Sequence, residues 1–240
     1  VFTEDHGIII TEYLEVGNKV KKDLLSRNLP TEEYDTLLSS YLAYVHARLP
    51  NEFWGDYKLN IKRNTSKEID KYVKNAITIK NNGIGLTLIG NQLGIKTEIC
   101  YSIIKRLVDE GFTCFTIYFD ELVYMIKESR DNKLIKYELN GRLQSDFFLV
   151  LDIPDSIDVS SIIQDVVALL LLRKSNQLPI LFTVNTNYTS LNDIPITSFL
   201  GRLILPFTRV NKFMVIEDTS DLDNLMNSKW EGLSAKSRGI

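Results

Sequence analysis

The segment Gly90-Asn91-Gln92-Leu93-Gly94-Ile95-Lys96-Thr97 has residue types at a spacing that can hold a phosphate. A loop of the form G-x-x-x-x-G-K-[ST] wraps its backbone N–H groups round the phosphates. Its lysine reaches the β and γ oxygens and its hydroxyl serves magnesium. Gly90, Lys96 and Thr97 stand at those places. Ile95 occupies the place of the second glycine, and Gly94 lies one residue early. A β-branched side chain resists the close approach and the backbone angles that glycine permits. The segment reads either as a phosphate loop or as a strand-to-helix turn that contains Gly, Lys and Thr.

Such a loop needs a buried strand before it and an amphipathic helix after it. IGLTLIG supplies the strand, and residues 96–110 have the pattern of the helix. Alternation continues along the chain. FTCFTIYF, FFLVL, PILFTVN and KFMVI read as buried strands. Helices are predicted from Asp120, near 133–143, over 159–174 and near 197–205. Apolar strands separated by helices imply an α/β fold with a mostly parallel sheet covered on both faces. Upstream, Thr65 and Glu68 form a capping-box pattern for a helix whose stripe is Ile69, Tyr72, Val73, Ala76 and Ile77, ending at Asn81-Asn82-Gly83. Residues 11–49 look helical, with Tyr34, Leu37, Leu38, Tyr41, Leu42 and Val45 on one face. Pro50 and NEFWGDYKLN break that pattern, so a boundary is placed near residue 50.

Composition narrows the class. The 240 residues suit one large domain or a domain with an appendage, and 44% hydrophobic with 25% charged residues is ordinary globular material. Twenty-eight basic against 31 acidic residues give a net charge of −3, so any nucleic-acid partner needs a local basic surface. One exists from Asp56 to Lys80. There Lys58, Lys62, Arg63, Lys67, Lys71, Lys74 and Lys80 face three acids, Asp56, Glu68 and Asp70. The stripe reads as a phosphate-tracking surface or as a solvated helix face. Cys100 and Cys114 are placed for packing rather than for a disulfide framework, and the start VFTEDHGIII lacks a secretory pattern, so a cytoplasmic location is expected.

Taken together, the order of these motifs over residues 50–218 resembles the helicase-loader branch of the AAA+ ATPases, the DnaC/DnaI-like family related to the IstB transposition ATPases. The resemblance rests on PNEFWGDYKLNIKRNTSKEIDKYVKN, on the loop and its flanking elements, and on SDFFLVLDIPDS, PILFTVN and FLGRLILPF. It implies a three-layer AAA+ sandwich over 51–240, with 51–83 as lead-in and 1–50 as a small helical N-terminal region. It further implies ATP or ADP with magnesium at Gly90, Gly94, Lys96 and Thr97, with Thr97 serving the metal.

The family places two acids after its third strand, one supporting magnesium and one polarising water. Two registers fit. In one, Leu151 replaces the first acid and Asp152 is the second; in the other, Asp152 is the first and Ile153 replaces the second. Asn185 is implied as the γ-phosphate sensor and Arg202 as the finger offered to a neighbouring subunit, which would make the chain a homo-oligomer. A missing loop glycine and a missing acid predict weak or absent hydrolysis, with binding retained or lost. The expected partners are a replicative helicase and single-stranded DNA. An active ATPase, a transposition-type DNA adaptor and a structural replication subunit are the alternatives.

Overall fold

The computed structural model describes residues 18, 21–22, 24–27, 29–54, 63–90, 95–155, 160–188 and 190–215. Helix α1 (Thr31–His46) is followed by α2 (Arg63–Lys74) and α3 (Ala76–Asn81), and then by β1 (Gly85–Gly90). The alternating part continues with α4 (Ile95–Asp109), β2 (Cys114–Tyr118), α5 (Phe119–Glu128), α6 (Lys133–Arg142) and β3 (Phe147–Ile153). It ends with α7 (Ser160–Ser175), β4 (Ile180–Asn185), α8 (Phe199–Ile204) and β5 (Asn211–Val215). The strands lie in the order β2-β3-β4-β1-β5, and every pairing is parallel.

Helices on both faces explain why the strands are apolar throughout. Leu86, Leu88, Cys114, Phe147, Leu149, Leu151 and Leu181 share one buried cluster with α1 to α4. Phe115, Ile117, Phe148, Val150, Ile153, Phe182 and Val184 share the other with α5 to α8. This is the expected three-layer α/β sandwich. One position is too crowded for any side chain: a Cβ on Gly85 would lie 2.1 Å from the Ile180 carbonyl oxygen. Beside it, Asn211 Nδ2 donates to that carbonyl at 3.0 Å and to Thr87 Oγ1 at 3.1 Å, tying β5, β4 and β1 together.

The helix expected across residues 65–80 is two helices. Asn75 turns its amide back onto the Lys71 carbonyl at 2.7 Å, competing with the helical ladder, and the first helix ends there. Ile77, predicted on the buried stripe, is therefore 68% exposed, and Ile79 is buried instead.

In α1 the expected stripe is also shifted. Tyr44, outside it, is buried, whereas Leu42, within it, is exposed. Tyr41 stacks on Trp54 at 5.5 Å, Trp54 Nε1 donates to the Leu49 carbonyl at 2.9 Å, and the Tyr44 hydroxyl donates to Asp109 at the end of α4. Arg48 then binds both Glu121 carboxylate oxygens at 2.6 Å. Burial, and next the Asp109 carboxylate, raise the Tyr44 pKa, so its hydroxyl stays a donor. Tyr44→Phe removes that donor while Lys105 still holds Asp109 at 2.6 Å. The expected cost is about 1 kcal/mol, read as a fall of about 2–4 °C in the thermal midpoint.

Candidate functional site

The chain leaves β1 toward β2 in one direction, and leaves the adjacent β4 toward β5 in the other. In open α/β sheets ligands bind outside the carboxyl ends of the strands at such a reversal. Gly90 and Asn185, the last residues of β1 and β4, are register partners there. Gly90 has φ +151°, a conformation that favours glycine, so its Cα-only geometry is used as the chain turns off the strand.

Three further groups converge on this point. Lys96 is 1% exposed, and its Nζ donates to the Gly90 carbonyl at 2.8 Å. Burial lowers its pKa, and the charges of Asp152 and then Cys100 oppose that shift. Thr97 Oγ1 donates to Asp152 Oδ1 at 3.3 Å. Asn185 has a buried Oδ1 with no hydrogen-bond partner.

Of the two registers open for the acids, the one with Asp152 at the metal-side place is the one that agrees with its contact to Thr97. Leu151 is buried on the α4 side of the sheet and Ile153 on the opposite side. Ile95 is the first residue of α4 and packs against the cluster on that side. Its backbone is helical, a conformation any L-residue takes freely, so isoleucine is accommodated there without a glycine's backbone freedom.

Gly94 lies outside the described residues, as do Lys58 and Lys62 and the side chain of Arg63. On α2, Lys67 and Lys74 are exposed and Lys71 is half-buried, while Ile69, Tyr72 and Val73 pack inward. Lys80 is engaged with Asp146 at 2.5 Å, which removes it from the stripe. Arg202 is exposed on the short helix α8, away from any side-chain partner among the described residues. Two contributors escaped sequence reading. Thr183 touches Asp152, and Arg173 is a buried cation at the opposite end of the sheet. Neither has a sequence signature beyond a strand threonine and a helix-terminal arginine.

An ammonium, a hydroxyl beside a carboxylate, and a free amide at the end of β1 and β4 fit the chemistry of a magnesium nucleoside triphosphate. The ammonium suits the phosphates, the hard oxygens suit magnesium, and the orphaned amide suits a terminal phosphate or its attacking water. No described carboxylate accompanies Asp152 at the next position, where Ile153 is fully buried.

No protein-family model matches the chain, and no curated protein matches it in sequence. Solved structures do match in fold. The DnaC helicase loader aligns with a TM-score of 0.56 at 17% identity, covering 70% of this chain and 99% of its own. DnaI aligns at 0.54 and 21% identity, covering 70% and 93% respectively. AMPPCP-bound DnaA from Aquifex aeolicus aligns at 0.53 and 14% identity, covering 80% of this chain and 57% of its own. The chain shares its fold with these structures.

Proposed function

We propose that this chain is a helicase-loader-like DNA replication protein. It binds a replicative helicase, single-stranded DNA or both, and its AAA+ core holds a magnesium nucleotide with little or no hydrolysis. The observation that carries this reading is a loader-type fold whose phosphate-side groups converge while the acid after Asp152 is absent. Bound nucleotide would supply charge that Lys96 neutralises and a magnesium ion that Thr97 and Asp152 hold. Asn185 would orient the terminal phosphate. Among the described residues, Ile153 next to Asp152 would take no proton from water, so the nucleotide would act as a ligand of the fold more than as a fuel.

The exposed Lys67 and Lys74 on α2 support a DNA contact, and the exposed Arg202 supports self-assembly in which one subunit reaches the nucleotide of the next. The test is a pull-down of the chain against a hexameric replicative helicase, with ATP turnover measured in parallel. A stable complex with turnover near background is the expected result. No complex, under conditions where a known loader binds the same helicase, overturns the reading. Oligomers that form only on duplex DNA would favour the transposition-type adaptor instead, and robust turnover abolished by Lys96→Ala would favour the active ATPase.

A further inference from the structure

Strand β3 pairs regularly with β4 through Phe148↔Ile180, Leu149↔Leu181 and Val150↔Phe182, then resumes at Ile153↔Val184. Leu151 and Asp152 therefore stand opposite the single residue Thr183, which is a β-bulge. Asp152 has φ +55°, a left-handed conformation that Asp tolerates better than most residues. The extra residue changes the parity of the strand. Phe147, Leu149 and Leu151 face α4, and in a regular strand residue 152 would face the other way, where Ile153 is found. Only the bulge turns the Asp152 carboxylate round to Thr97.

A bulge leaves one ladder position unpaired, and Thr183 fills it. Its Oγ1 accepts the Asp152 backbone N–H at 2.8 Å. The same hydroxyl donates to Asp152 Oδ1 at 3.4 Å, a long contact, on the oxygen that Thr97 also approaches. Thr183 is fully buried, so no water can take over either bond. The geometry points to Thr183 as a positioning residue that pins the β3 bulge and so sets magnesium-dependent nucleotide affinity. This rests on the nucleotide reading above and adds a residue to it. Thr183 does not touch the nucleotide; it acts through Asp152.

The test is titration of the full chain with ATP by calorimetry, once in magnesium and once in EDTA, for the wild type, Thr183→Val and Thr183→Ser. The valine variant keeps the volume and the branching and loses both bonds. It is expected to lose about tenfold of the affinity gained from magnesium, as for partners that orient metal ligands, with affinity in EDTA unchanged. Thr183→Ser keeps the hydroxyl and is expected to keep the magnesium gain, which a merely space-filling role would not predict. Should the valine variant fail to fold, Thr183→Ala gives the same comparison without a branched side chain. An undiminished magnesium gain in the valine or alanine variant overturns this proposal alone, as does an equal loss in both media. Failure of the wild type to bind ATP in either medium overturns the nucleotide reading, and this proposal with it.

Discussion

Lys96→Met is expected to lower the affinity for magnesium ATP by about a hundredfold, the loss of a charged hydrogen bond of about 1.5–3 kcal/mol, without loss of the fold. The ammonium is buried, and it donates to the Gly90 carbonyl at the carboxyl end of β1. Removing a buried cation normally strands its acceptor. Here the Gly90 carbonyl also accepts the Thr186 backbone N–H at 3.2 Å, so it stays paired. Methionine fills the same channel with apolar atoms and removes the burial cost that lowers the lysine pKa. The thermal midpoint should therefore fall far less than the affinity does. Calorimetric titration beside a melting curve reads both. Unchanged affinity would show that Lys96 does not reach the phosphates.

The second large effect lies at the other end of the sheet, and it is one of stability. Arg173 in the last turn of α7 is 2% exposed. Its Nη1 donates to the Leu143 carbonyl at 2.6 Å, its Nη2 to those of Asp146 and Pro179 at 3.1 and 2.9 Å, and its Nε to Pro179 at 3.2 Å. Those carbonyls precede β3 and β4, so one guanidinium fixes where both strands begin. Burial lowers its pKa, and the Asp146 carboxylate opposes that shift. Arg173→Met takes their described donor from the Leu143 and Asp146 carbonyls, while the Pro179 carbonyl keeps the Phe148 backbone N–H at 3.3 Å. With the loss of the guanidinium's packing it should cost about 3–5 kcal/mol, a fall of roughly 10 °C or more in the thermal midpoint. Arg173→Lys should recover little, because one ammonium cannot reproduce the planar fork. A shift under 3 °C, roughly 1 kcal/mol in a chain of this size, would refute this account.

The parts of the molecule that sequence reading reached are those built on periodicity. Each buried strand appeared as an apolar run, and the spacing of Gly90, Lys96 and Thr97 pointed to the place where the structure brings Lys96 to Gly90 and Thr97 to Asp152. What it missed depends on backbone events that no residue type announces. Asp152 fitted two registers because the bulge shifts parity by one residue, and aspartate is as common at ordinary strand ends as in a left-handed turn. Thr183 looks like any β-branched strand residue until its partner strand bulges. Asn75 ended a helix that the apolar spacing carried through, since its side chain competes locally with the ladder. Tyr44 fell outside the apolar stripe of α1 because the face that packs was chosen by Asp109 and Trp54, which are distant in sequence.

One consequence follows from the length of α4. Its first turn carries Lys96 and Thr97, and its last residue is Asp109, held by Tyr44 of α1. Fifteen residues make a rod of about 22 Å. A helix is stiff along its axis, so the phosphate-side groups and the N-terminal helix sit at opposite ends of one strut. The N-terminal helix and the end of β1 are thus tied to one another through a single unbroken element, with no loop between them.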